Sequence, residues 1–260
     1  MNPIFSRTFK ALCSIAIVGL LSACGASSTV DPFKPTRVIG LGDAYNDTAI
    51  TQYTVRGTGQ TITTVVAQVA ALYGATTVVS EASSAYATTA DLMTQINRLG
   101  SLSATADLVV ITAGTQEFRN GTSGATFLIA LKSALDALKA KGAKHIVIME
   151  VVDLSQMGTG SPDPLAFNSV VKSDLAAYTD VARYGNISRP SAFFPGWVTS
   201  GVRTPFCVSP ATLDGCDFSD VGNGTGDVST YFLADNLNPT PAGNQWLGLQ
   251  LYNGTGGGWR

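Results

Sequence analysis

Residues 37–43, Arg-Val-Ile-Gly-Leu-Gly-Asp, are apolar without alternation up to a Gly-Asp pair. Such a run predicts a strand buried on both faces that breaks at a turn. Residues 61–73 carry apolar side chains at helical spacing and end at Gly74, the residue type that closes a helix in the left-handed conformation. Residues 76–80 form a second β-branched run and 92–99 a candidate helix. Residues 107–114, Asp-Leu-Val-Val-Ile-Thr-Ala-Gly, predict a third strand, again apolar on both faces. A helix over 123–141 stopped by Gly142, a strand over 144–152, a helix over 167–184 and a last short helix over 241–252 complete the pattern. Between 185 and 231 the periodicity fails in a Gly/Ser/Pro-rich stretch that predicts irregular loops.

Strands apolar on both faces and alternating with helices predict an α/β class: a central parallel sheet between two helical layers, a three-layer α/β/α sandwich. In open sheets of this kind ligands bind at the carboxyl ends of the strands. That rule selects residues 42–47, residues 114–117 and the loop 235–240.

Composition narrows the function classes. The chain has 260 residues, enough for one large domain, expected over 36–260. Hydrophobic residues are 45% and charged residues 13%, which argues against disorder and against the basic face a nucleic-acid binder requires. A net charge of -2 steers no particular partner. No sequence feature requires a cofactor, and no metal set is assigned. The carboxylates Asp43, Asp47, Glu117 and Asp235 lie in the selected segments. Asp43 and Asp235 are read first as hydrogen-bond partners of their own turns; alternatively the cluster is a hard-cation site or an acid/base pair.

The first 23 residues read as a lipoprotein signal peptide. Arg7 and Lys10 precede an apolar run over 11–21, and Leu21-Ser22-Ala23-Cys24 is similar to a bacterial lipobox. By that resemblance Cys24 becomes the acylated N-terminus and anchors the chain to a membrane through more than one acyl chain. Gly25, not Asp, follows the cysteine; by the sorting tendency of such lipoproteins this directs the protein to the outer membrane. Residues 24–35 read as a tether. Of the four cysteines, Cys13 leaves with the signal and Cys24 is acylated. Cys207 and Cys216 remain as a pair in an oxidising compartment, where a disulfide would contribute roughly 2–3 kcal/mol.

The three selected segments resemble, in order and spacing, motif blocks of the SGNH/GDSL hydrolases. Gly42-Asp43-Ala44-Tyr45-Asn46-Asp47 corresponds to Gly-Asp-Ser-x-x-Asp, Gly114-Thr115-Gln116-Glu117 to Gly-x-Asn-Asp, and Asp235-Asn236-Leu237-Asn238-Pro239-Thr240 to Asp-x-x-His-Pro-Thr. The resemblance extends over about 36–252 and implies the flavodoxin-like fold of that family. A second block normally supplies glycine; here Ala82-Ser83-Ser84-Ala85 stands in its place.

The departures bear on chemistry. Ala44 replaces the family's serine nucleophile, and Asn238 replaces the histidine base with an amide that takes no proton near neutral pH. Gln116 keeps the oxyanion amide but lengthens it by a methylene. Triad members act as a unit, so losing serine and histidine together costs on the order of 10⁶ in rate. The single histidine, His145, starts a strand, at the sheet edge opposite the ligand edge, and Lys132, Lys139, Lys141 and Lys144 follow a predicted helix as solvated charges.

The expectation is therefore a protein that is not an esterase. It would keep a cleft formed by Gly42, Asp43, Ala44, Asp47, Ser84, Gly114, Gln116, Glu117, Asp235 and Asn238, with a small-molecule or glycan ligand. Two alternatives stay open: a hydrolase using Ser83, Ser84 or the carboxylates, and a structural lipoprotein of the envelope. The aromatics Phe193, Phe194, Trp197, Phe206, Phe218, Tyr231 and Phe232 are read as core under a loop, or as a platform on the cleft rim.

Overall fold

The computed structural model describes residues 33–47, 54–55, 60–61, 63–82, 87–153, 163–185, 187, 193–194, 198–199, 202–203, 228–233 and 239–255. Five parallel strands form the central sheet: β1 (Arg37–Gly42), β2 (Thr77–Ser80), β3 (Asp107–Thr112), β4 (Ile146–Met149) and β5 (Ala182–Gly185). Their spatial order is β2-β1-β3-β4-β5. β1 and β3 pair in register from Arg37 with Asp107 to Gly42 with Thr112, so both strands end level at the carboxyl edge. Two short antiparallel pairs, Thr54–Val55 with Gln60–Thr61 and Val198–Thr199 with Val202–Arg203, stand apart from this sheet.

Among the described residues six α-helices accompany the strands: α1 (Val65–Tyr73), α2 (Thr89–Arg98), α3 (Thr115–Arg119), α4 (Gly124–Ala140), α5 (Leu165–Asp174) and α6 (Pro241–Gly254). Side-chain alternation along the strands divides the core in two. Ile39, Leu41, Val109, Ile111, Ile146 and Ile148 face α2, α4 and α5. Val38, Leu108, Val110, Val147 and Met149 face α1 and α6. A strand buried on both faces needs no polar alternation, hence the continuous apolar runs in the sequence.

Helix ends follow local chemistry. Thr64 accepts the Ala67 N–H and starts α1 at Val65, later than the apolar spacing predicts, while Gly74 closes it at φ +68°. Ser123 caps α4, and Thr240 with Pro241 opens α6. On β1 and β3, at the amino edge, Arg37 Nε donates to Asp107 Oδ1 at 2.8 Å, and Asp107 also accepts the Ser103 N–H at 2.7 Å.

The segment 167–184, expected as one helix, is not one. α5 ends at Asp174, a 3₁₀ turn covers Leu175–Tyr178, and β5 follows. Phe167, Val171 and Leu175 are buried at helical spacing, but the periodicity stops there. β5 is a four-residue edge strand with Arg183 and Tyr184 half-exposed between buried Ala182 and Gly185, too short and too polar to announce itself. Of the aromatics over 193–232, Phe194, Tyr231 and Phe232 are buried, Phe194 and Phe232 packing against Trp246. Phe193 is 60% exposed. Among the described residues no helix is long and apolar enough to cross a membrane.

Candidate functional site

β1 runs straight into Gly42, whose φ is +107°; a Cβ there would lie 1.7 Å from the Thr112 carbonyl oxygen of β3. Only glycine permits so close an approach with that backbone. The turn is held from two sides. The Asp43 N–H donates to Thr112 O at 2.8 Å. From α2, Gln95 clamps the Gly42 residue, its Oε1 accepting the Gly42 N–H at 2.6 Å and its Nε2 donating to Gly42 O at 2.9 Å.

Asp43 is buried, and its Oδ1 accepts the Tyr45 N–H at 3.2 Å in a local side-chain turn. Burial pushes its carboxyl up to about 7; the Thr112 side chain and the Tyr45 N–H pull it down, and the charge of Glu117 pushes it up further. Ala44 follows, 6% exposed, with a methyl group at the position the motif resemblance assigns to a serine. Asn46 is fully buried and fully bonded. Its Nδ2 donates to Leu41 O and Val110 O, both at 3.0 Å, and its Oδ1 accepts the Val66 N–H at 3.0 Å. It ties β1, β3 and α1 together. Asp47 is half-exposed, and its N–H donates to Ala44 O.

At the end of β3, Gly114 has φ +103°, and a Cβ would crowd Phe127 and Val151. α3 begins there. Gln116 Nε2 donates to Asn120 Oδ1 at 3.0 Å, which engages one of its two amide hydrogens. Glu117 is 7% exposed; Oε1 accepts the Thr89 N–H at 2.6 Å, and Oε2 is buried without a partner among the described residues. Of the four expected carboxylates, Asp43 and Glu117 are coupled through the charge of Glu117. Asp43 does act as a bonding partner of its turn, as the first reading of these carboxylates held.

Ser83, Ser84, Asp235 and Asn238 lie outside the described residues, as do Cys24, Cys207 and Cys216. Ser80 Oγ donates to the Asn46 carbonyl at 2.5 Å, bringing the end of β2 beside the first block. Leu233 bridges to Pro239, and Thr240 Oγ1 donates to Tyr231 O at 2.7 Å. Phe232 and Leu233 share a hydrophobic cluster with Tyr45.

His145 precedes β4 at the amino edge, the opposite end of the sheet, stacked on Phe33 with ring centroids 3.6 Å apart. Burial holds its pKa below the usual histidine range. Lys132 and Lys139 pair with Asp174 and Asp180 at 3.6 Å, and Lys141 donates to Leu99 O.

Gln95 and Asn46 escaped the sequence reading. Each is one polar residue in an apolar pattern, and the available signal was that position: an amide on the apolar stripe of a helix or after a buried strand must find backbone partners.

The sequence matches no family model and no curated protein. Solved structures do match. A lipase/acylhydrolase from Enterococcus faecalis aligns with a TM-score of 0.52 at 17% identity, over 85% of this chain and 95% of that one. A salicylyl-acyltransferase from a tetracycline biosynthetic pathway aligns at 0.50 and 14% identity, over 89% of this chain and 56% of that one. A member of the lipolytic G-D-S-L family from Veillonella parvula aligns at 0.49 and 13% identity, over 84% and 96%. The likeness is one of fold: the chain has the SGNH/GDSL hydrolase fold, a parallel five-stranded sheet between helical layers.

Proposed function

We propose that this protein is an exported, lipid-anchored envelope protein that has lost esterase chemistry and uses the esterase-derived site to bind an acyl ester, a glycan or another envelope component. The observation that carries the reading is the turn after β1. Gly42 and Asp43 are held in place by Gln95 and Thr112, yet the next side chain is a buried alanine methyl. An alanine has no atom to attack a carbonyl. Two further features agree. One of the two Gln116 amide hydrogens is engaged by Asn120, which reduces what that side chain can offer a developing oxyanion. Asn238 supplies no base.

The test is turnover of short-chain nitrophenyl esters together with labelling by a serine-directed fluorophosphonate. The expected result is no turnover above background and no label. Multiple turnovers that survive repurification, or a label on Ser83 or Ser84, would overturn the reading. The double variant Ala44→Ser with Asn238→His is expected to gain measurable hydrolysis where neither single variant does, because a nucleophile without a base, or the reverse, is nearly idle.

A further inference from the structure

Residues 33–36 are pinned at the amino edge of the sheet. Phe33 stacks on His145, just before β4, with ring centroids 3.6 Å apart, and packs against the hydrophobic cluster under α1 and α6. Pro35 is buried. The Thr36 and Arg37 N–H groups both donate to Ala106 O, at 2.9 and 3.0 Å, and Thr36 O accepts the Thr76 and Thr77 N–H groups at 3.1 Å. Ala106 precedes β3 and Thr76 precedes β2, so this segment is fixed where the strands start. Any chain joined to Phe33 is therefore tied to the amino edge.

The candidate site lies at the other end of the strands. Gly42, Asp43 and Ala44 close β1, and Gly114 and Glu117 follow β3. β1 has six residues, and at about 3.3 Å of rise per residue the Gly42 turn is roughly 17 Å from Arg37. A folded domain with the length of Phe33–Trp259 is about 45 Å across. The tether is shorter than that. Phe33 stands nine residues beyond Cys24. Such a stretch spans at most about 32 Å when fully extended and averages about 17 Å when relaxed. With Cys24 in a bilayer, the tether keeps the amino edge close to the lipid. Turning the carboxyl edge onto the lipid instead would lift Phe33 by the depth of the domain, about 45 Å, which the tether cannot span.

We propose that the anchored protein turns its amino edge toward the leaflet that holds Cys24 and presents the Asp43 turn to the aqueous space, so that its ligand is a water-borne component of the envelope and not a lipid of that leaflet. The proposal rests on the lipid-anchored reading of Cys24 and narrows the ligand of the same site. It sets aside an acyl ester embedded in the anchoring leaflet, because the Gly42–Ala44 turn and α3 face away from it.

The experiment uses the full acylated chain in phosphatidylethanolamine/phosphatidylglycerol vesicles that carry a headgroup-labelled acceptor lipid. A coumarin-bearing residue is introduced by amber suppression in place of Ala104, exposed just before β3, or in place of Arg119, exposed on α3 beyond the carboxyl end of the same strand. Lys144, exposed before β4, and Asn120, exposed after α3, serve as the second pair should either labelled chain fail to fold. Energy transfer to the lipid is expected to be at least threefold more efficient from the amino-edge position than from the carboxyl-edge one. Flotation with the vesicles is read on the same samples. A chain that floats but shows equal transfer from the two edges, or stronger transfer from Arg119, would overturn the proposal and leave the anchor standing. A chain that fails to float has no anchor, and that result overturns the lipid-anchored reading and the proposal with it.

Discussion

Replacing Asp43 by asparagine is expected to stabilise the protein at alkaline pH and to remove much of its pH dependence. Asn is nearly isosteric with a protonated Asp, keeps a carbonyl oxygen for the Tyr45 N–H, and offers the Thr112 hydroxyl a partner of either polarity. The Asp43 carboxyl is raised from 3.8 to about 7, first by burial and also by Glu117. Below about pH 4 the folded and unfolded chains both hold this proton and no penalty exists. Between about pH 4 and about pH 7 the unfolded chain ionises while the folded one does not, so stability falls as pH rises; above about 7 the loss is complete. About three pH units at about 1.36 kcal/mol each set a ceiling of roughly 4 kcal/mol. The assay is urea unfolding of wild type and Asp43→Asn between pH 4.5 and 8.5. Glu150 and His145, which also titrate away from their usual ranges, are common to both proteins and cancel in the difference. The variant's advantage should grow with pH and level off near pH 8. Parallel stability curves, or a variant that loses more at pH 8 than at pH 4.5, would show that the Asp43 carboxyl is not raised in the folded protein and refute the argument.

Gly42→Ala is expected to cost roughly 3 kcal/mol or more, because strain at φ +107° adds to a Cβ placed against the Thr112 carbonyl. Gly74→Ala, at φ +68° with nothing within 4 Å, should cost only about 1–2 kcal/mol by the same unfolding assay, and equal losses would discredit the steric account. Cys24→Ala should release the protein from the membrane fraction on cell fractionation; retention as strong as the parent's would end the lipoprotein reading. Peptide mapping without reductant should find Cys207 joined to Cys216 in exported protein, and recovery of both as free thiols would contradict the expected disulfide.

The sequence by itself determined the layers, because a strand buried on both faces must be apolar throughout and a helix covering it must be apolar every three or four residues. β1, β3 and α4 follow from that alone. It also carries the departures on which the proposed loss of esterase chemistry rests: Ala44 has no oxygen and Asn238 no basic nitrogen in any conformation. Tertiary structure decided what depends on partners distant in the chain. β5 is a strand because β4 offers it an unpaired edge, not because Ala-Arg-Tyr-Gly prefers one. Gln95 and Asn46 read as ordinary amides until the fold brings backbone groups to them from Gly42, 53 residues away, and from Val110, 64 residues away. The state of Asp43 is of the same kind. A carboxylate in a Gly-Asp turn is ordinarily ionised, and only the layers packed over it, with Glu117 brought alongside by α3, remove the water that would keep it so.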